Sequence, residues 1–357
     1  MADTIRLGDA ATYINGYAFK PEDRGEVGLP IIRIQDLTGN SYDLGFYDGE
    51  YPEKIEIKDG DILISWSASL GVYVWNRGKA LLNQHIFKVA FDKTEINKYY
   101  FVYAVRKKLD EMKTKTHGAT MKHIVKKDFD ATLIPYPTLE KQAEIATNLD
   151  KISKVLETRK QEIQLLDELI KARFVELFGN ILTDRNLPLV QLSELADIGS
   201  SKRIYAYEYA EEGIPFYRSK EIRELGSGLK PSVELFITSE RYNEIKNKYG
   251  VPKVGDILIA AIGATIGYSW IVNTENPFYY KDGNLIILSI KDDVNPIFLN
   301  HVMGILIDDF KNKGVAGSAQ LALTIEKLEK MIVVSPDINL QNQFAVFVKQ
   351  VNKSKVI

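Results

Sequence analysis

The chain has 357 residues, 45% of them hydrophobic and 26% charged, which is enough for two or three ordinary globular domains. Nineteen Tyr and fifteen Phe exclude a chain too poor in apolar side chains to fold, and the absence of Cys excludes disulfides, thiolate catalysis and cysteine-based zinc sites. A formal net charge of −2 excludes a uniformly basic binder of polyanions, so any such role must sit in local patches.

In chain order, Ile5 to Ala11 predicts a short opening strand or turn, and a Gly-Leu-Pro turn leads to a strand over Leu29–Ile34. Gly60-Asp61 then feeds the apolar β run Asp61–Ser65. A strand over Ile86–Phe91 follows, then a helix over Lys98–Lys113, and a short strand over Thr132–Pro137 ends in proline. From Leu139 to Phe178 there is no Gly or Pro, and Gly179-Asn180 stops the run, which predicts one long helix. Ile145, Leu149, Ile152, Leu156, Ile163, Leu166 and Ile170 fall at alternating spacings of four and three, a heptad seam interrupted at Arg159. At ~1.5 Å per residue, about 40 residues span roughly 60 Å, and so long an amphipathic helix requires a partner for its seam.

After this helix the chain repeats itself. Val190 to Ala196 matches Ile5 to Ala11, and Gly213-Ile214-Pro215-Phe216-Tyr217-Arg218 matches Gly28-Leu29-Pro30-Ile31-Ile32-Arg33, both at an offset of 185. Gly255 to Ile259 matches Gly60 to Ile64, and Gly317, Pro336 and Gln341 match Gly118, Pro137 and Gln142 at an offset of 199. The drift of 14 residues, 199 against 185, is net loop insertion in the second copy. The second copy predicts strands over Ile214–Ser219, Asp256–Ala261, Leu285–Ile290 and Met331–Pro336, with a helix over Pro296–Lys311. A final helix begins near Leu340 and has fewer than twenty residues to Ile357. It is the obvious partner for the long helix, yet it would cover only about half the seam. A continuation of the chain or another subunit would cover the rest, unless the long helix packs on its own domain. The expected fold is α+β: two duplicated strand-rich α/β domains, 1–138 and 181–338, separated by long coiled-coil helices, 139–180 and the start of a second at 339–357.

This duplicated order resembles the specificity subunits of Type I restriction–modification systems. The residues that carry the resemblance cover almost the whole chain. Gly60-Asp61-Ile62-Leu63 and Gly255-Asp256-Ile257-Leu258 are similar to the family's Gly-Asp-Ile-Leu strand. His117 to Ile124 is similar to its Gly-rich turn, and Ile134 to Ile145 to its Pro-x-Pro…Gln…Ile approach to the spacer helix. Ser335 to Gln341 is a weaker second version of that approach. The resemblance implies two target-recognition domains, each reading half of a split double-stranded DNA sequence, with the helices as a ruler between them. It implies docking of modification subunits that carry the adenine methyltransferase, and a restriction subunit in the full complex. It implies a chain that itself holds no cofactor and makes no bonds. The short final helix leaves self-association through the long helix open.

If DNA is the ligand, cations on phosphates and hydrogen-bonding side chains on base edges are the candidates. Arg106 to Lys127 holds eight Lys or Arg against two acids. It carries Lys113, Lys115, Thr116, His117, Thr120, Lys122 and His123 around Gly118, although a solvated helix face would have the same composition. Trp66 and Ser67 follow an apolar strand, where the Trp suits either stacking near DNA or core packing. Asn83, Gln84 and His85 lie between two strands, and Lys281 and Asn284 occupy the matching place in the second copy. Early polar loops offer Lys20 and Arg24, and Lys202, Arg203 and Tyr205. Lys220, Ser318 and Gln320 complete the set. Arg33 and Arg218 match across the copies, which favours a structural ion pair over reading.

Catalysis finds little support. His85, His117, His123 and His301 are too scattered for a metal motif, and His117 and His123 do not have the i, i+4 spacing of a helical pair. Asn276-Pro277-Phe278-Tyr279 is similar to the Asn-Pro-Pro-Tyr loop of adenine methyltransferases but lacks the second proline, and no phosphate-binding loop is present. The alternatives are a single-chain DNA methyltransferase or nuclease fragment with recognition domains, and a coiled-coil scaffold. No signal peptide opens the sequence and no apolar run reaches the roughly 18–20 residues of a membrane span, so a cytoplasmic chain without a membrane partner is expected.

Overall fold

A computed structural model of the chain describes residues 3–39, 44–67, 69–114, 125–184, 186–314 and 322–355. They form two compact units, Met1–Arg159 and Lys160–Ile357, and the helix Leu139–Phe178 contributes residues to both. No helix among the described residues is long and apolar enough to cross a membrane.

The first unit is tied end to end. Strand Thr4–Arg6 pairs antiparallel with Leu133–Pro135, placing Ile5 opposite Ile134. Between these ends lie two four-stranded sheets. One has the order Thr12–Asn15, Ile86–Ala90, Ile62–Ser65, Gly71–Val74 and is antiparallel throughout. The other has the order Phe46–Tyr47, Leu29–Ile32, Ala80–Leu82, Glu56–Ile57, with its two central strands parallel. Strand Ile62–Ser65 is buried along its whole length because it faces two layers. Ile62 and Ile64 enter a core with Phe101, Val105 and Phe129, whereas Leu63 enters a second core with Ile32, Ile57 and Trp75. An uninterrupted apolar run is what burial on both faces requires.

The second unit repeats this plan. Its end strands Leu189–Gln191 and Ile332–Val334 pair antiparallel. Its larger antiparallel sheet runs Ala196–Gly199, Leu285–Ile290, Ile257–Ala260, Ser269–Ile271, and Ile214–Tyr217 lies parallel to Tyr279–Tyr280. The Gly-Asp turns work identically. Gly60 and Gly255 adopt φ of 87° and 99°, a left-handed geometry that glycine takes without steric cost. Asp61 and Asp256 then accept hydrogen bonds from the Lys58 and Lys253 N–H groups at 2.9 and 2.8 Å.

Two features differ from the sequence expectation. The strands expected to reach Ile34 and Ser219 stop at Ile32 and Tyr217, and short helices Ile34–Thr38 and Ser219–Gly226 follow. The cause is an acid three residues beyond each arginine. Asp36 accepts from Arg33 N at 2.7 Å and Glu221 from Arg218 N at 2.8 Å, which caps the helix start. The second difference is a helix, Ser239–Tyr249, with Thr238 Oγ1 accepting from Arg241 N at 3.2 Å. From Gly213 to Gly255 the second copy is ten residues longer than the first from Gly28 to Gly60, and this helix occupies the added length.

At the start of each long helix a buried glutamine makes the same pair of bonds. Gln142 donates to Pro137 O at 2.8 Å and accepts from Asn97 N at 2.9 Å. Gln341 donates to Pro336 O at 2.8 Å and accepts from Asn295 N at 2.9 Å. Asn97 and Asn295 in turn cap the helices Lys98–Thr114 and Pro296–Gly314. The seam residues divide by position. Ile145 packs on the core of the first unit, and Leu166 and Ile170 join the core of the second. There Phe174 and Phe178 meet Phe344 of the closing helix, Ile338–Ser354, with ring centroids 5.3 and 5.7 Å apart. Between them Ile152 and Leu156 are 55% and 59% exposed.

Replacing Gln142 or Gln341 with Ala strands a backbone N–H and a carbonyl in each buried joint. Each variant is expected to lose about 1–3 kcal/mol in denaturant unfolding, whereas Gln164→Ala on the exposed helix surface changes little. His301 lies against Phe174 and Phe344 at 4.6 and 5.2 Å. Burial, with a smaller contribution from Lys171, pushes its imidazole down to about 4. The unfolded chain takes up that proton near the ordinary value of ~6.5, so this stabilisation is complete above that pH and is lost as pH falls toward 4. Melting of the second unit is therefore expected to drop over this window, and His301→Leu to flatten the drop.

Candidate nucleic-acid interface

In the first unit the turn after Ala80–Leu82, the helix Ile34–Thr38 and the end of Ile62–Ser65 enclose a recess of about 410 Å³. It gathers Ser67, Asn83, Gln84 and His85 from the sequence candidates and adds Gln35 and Thr38. The parallel strand pair sets this convergence. Asn83 N donates to Ile32 O at 3.0 Å, bringing the turn beside the helix that starts at Ile34. Asn83 Oδ1 accepts from Gln84 N at 2.8 Å and holds the turn. His85 has φ of 72°, a left-handed conformation that no other non-glycine shares among the described residues. Such a residue costs on the order of 1–3 kcal/mol and concentrates at functional sites. Ser67 is only 6% exposed, lines the recess, and its hydroxyl makes no hydrogen bond among the described residues. The recess is lined by amides, hydroxyls and an imidazole, with Arg33 held by Asp36 at its edge, so it can donate and accept at the edge of a base.

Trp66 belongs to the core. Its ring stacks on Phe87 at 5.5 Å and meets His85 edge-on at 5.0 Å. Lys20 is exposed, with its ammonium 3.8 Å from Glu22, and Arg24 is half-buried against Gly45. Lys113 pairs with Asp110 at 2.8 Å on the last turn of its helix. Lys115, Thr116, His117, Thr120, Lys122 and His123, and Ser318 and Gln320, lie outside the described residues.

In the second unit the candidates fall into two groups. Lys202 sits with its ammonium 4.3 Å from the Tyr249 ring centre, and its N–H donates to the Tyr279 hydroxyl at 2.7 Å. Both aromatic residues line a recess of about 570 Å³ whose floor includes Asp256, a carboxyl pushed up by burial. Arg203 pairs with Asp282 at 2.9 Å. Tyr205 stacks on Tyr207 at 5.5 Å with the rings 5° from parallel, and Tyr207 is 83% exposed. The second group surrounds helix Ser219–Gly226, the counterpart of Ile34–Thr38. Lys220 pairs with Glu234 at 2.7 Å, and Lys281 N donates to Tyr217 O at 2.9 Å, the bond that Asn83 makes in the first unit. Asn284 O accepts from Ala261 N at 2.8 Å. Arg33 and Arg218 are structural, as their match across copies favours: Arg33 Nε lies 3.2 Å from Asp36, and Arg218 bonds Glu221 and Glu234 at 2.8 and 2.9 Å.

The family model described as the Type I restriction modification DNA specificity domain matches this sequence twice, over residues 2–168 and 186–356. The chain belongs to that family. It is 29% identical over 170 residues to the Type I restriction enzyme EcoBI specificity subunit of Escherichia coli, covering 47% of this chain and 35% of that protein. It is 27% identical over 321 residues to the MjaVIII specificity subunit of Methanocaldococcus jannaschii, covering 83% and 73%. The chain thus spans about a third of the first relative's length and about three-quarters of the second's. Among solved structures it shares the fold of the Type I restriction–modification S subunit from M. genitalium, with a TM-score of 0.62 at 16% identity over 99% of this chain and 90% of that one.

Sequence reading missed Gln35 and Thr38 at the first unit's recess and the exposed Tyr207. The available signal for the first two was the acid at Asp36, which turns an apparent strand end into a helix and changes where its side chains point. Trp66→Ala is expected to cost about 3 kcal/mol of stability, measured by denaturant unfolding, while Trp66→Phe costs less than about 1.5 kcal/mol. DNA affinity of the folded Trp66→Phe protein should stay within about threefold, as expected of a core residue.

Proposed function

We propose that this chain is the DNA-recognition subunit of a Type I restriction–modification enzyme, each unit reading one half of a bipartite target. The observation that carries the reading is the duplication itself. Two units with the same order in the larger sheet, the same end pairing and the same glutamine joint present different side chains at matching positions. Shared scaffolds with divergent polar surfaces suit two readers of different sequence. The helix Leu139–Phe178 links the readers, and its exposed Ile152 and Leu156 offer a surface for modification subunits or for a second copy. A restriction subunit would join the larger complex. The chain itself would supply recognition and leave bond-making to its partners, which distinguishes it from a single-chain methyltransferase or nuclease.

The test is methylation mapping by long-read sequencing of DNA from cells that express the chain with and without its cognate modification subunit. A bipartite adenine-methylation motif is expected only with both, its halves about one helical turn apart. Methylation by this chain alone would overturn the assignment. Recognition that tolerates arbitrary spacing between the half-sites would overturn the role of the long helix as a ruler.

A further inference from the structure

The two copies carry opposite chemistry at equivalent positions. The capping acids fix one equivalence: Asp36 and Glu221 hold Arg33 and Arg218, so Gln35 matches Lys220 and Thr38 matches Arg223. The backbone bonds from Asn83 to Ile32 and from Lys281 to Tyr217 fix the other, so Asn83 matches Lys281. Three uncharged side chains in the first unit thus stand where the second has three cations. In the first unit the side-chain amides of Gln35 and Gln84 are exposed and make no hydrogen bond among the described residues, nor does the hydroxyl of Ser67, which lines the same recess. In the second unit Glu234 takes Lys220 and Arg218, but Arg223 is exposed and makes no ion pair among the described residues. Its guanidinium lies 5.5 Å from the ring centre of Tyr268, itself 44% exposed, a cation–π contact.

Resting on the function proposed above, we propose that the first unit's recess and the matching surface of the second unit read different base pairs. The first reads an A·T pair through the amides of Gln35 and Gln84, and the second reads a G·C pair through Arg223. The chemistry follows from the base edges. An amide both donates and accepts, matching adenine N6 and N7, whereas a guanidinium only donates, matching guanine O6 and N7. A charged side chain with no acceptor cannot satisfy adenine N6, and an amide satisfies only one of the two guanine acceptors well.

The experiment uses the full chain with its cognate modification subunit in cells, read by genome-wide methylation mapping. Gln35→Ala and Gln84→Ala are each expected to relax one A·T position, other than the methylated one, in one half-site. Arg223→Ala is expected to relax one G·C position in the other half-site, with discrimination there falling on the order of ten- to a hundredfold. Arg223→Lys, which keeps the charge and loses the fork, retains methylation with intermediate discrimination. Uniform loss of methylation in Arg223→Ala with an unchanged motif would make it a phosphate contact and overturn the proposal. Relaxation of an A·T position by Arg223→Ala, or no change in any variant, would overturn it as well. A wild-type protein with no bipartite motif would overturn the underlying function and this inference together, so the two failures are distinguishable.

Discussion

A buried amide at the foot of each long helix fixes what the rest of each unit can do. Gln142 and Gln341 are almost fully buried, and each uses both ends of its side chain. The amide nitrogen satisfies the carbonyl of the proline two residues beyond the last strand. The oxygen satisfies the backbone N–H of the asparagine that caps the domain helix. Strand exit, helix start and long-helix start therefore meet at one side chain. Glutamate would lack the donor and leucine would leave both backbone groups unsatisfied, each at the cost of a stranded buried polar group.

Much of this architecture is legible in the sequence because the determinants are local and occur twice. The Gly-Asp turns need a left-handed glycine and a carboxylate three residues after its backbone partner, a pattern visible as letters. The helix Leu139–Phe178 is visible because no Gly or Pro breaks it and its seam is periodic. The helix Ser239–Tyr249 is not visible, since it has no counterpart to confirm it and buries little beyond Tyr242 and Ile245. The capped helices at Ile34 and Ser219 were hidden by the apolar strands before them.

The recesses were legible only in part. Asn83, Gln84 and His85 are contiguous, so their joint appearance in one turn could be read directly. Gln35 reaches the same recess through the parallel pairing of Leu29–Ile32 with Ala80–Leu82, and Ser67 through the antiparallel pairing of Ile62–Ser65 with Ile86–Ala90; both are long-range and leave no local trace. Trp66 shows the converse. Its neighbours in sequence are serines, which suggest a surface, but its neighbours in space are Phe87 and His85.

The pairing of the first strand with the last in each unit bears on how the chain folds during synthesis. Thr4–Arg6 cannot find Leu133–Pro135 until nearly the whole first unit has been made, and the same holds for Leu189–Gln191 with Ile332–Val334. Loop-closure entropy makes such distant pairings late and slow events. The first unit can complete its own end-to-end closure while the ribosome is still translating the second. Two nearly identical strand plans emerging in succession would otherwise risk exchanging partners, and temporal separation of their closures keeps each strand with its own copy.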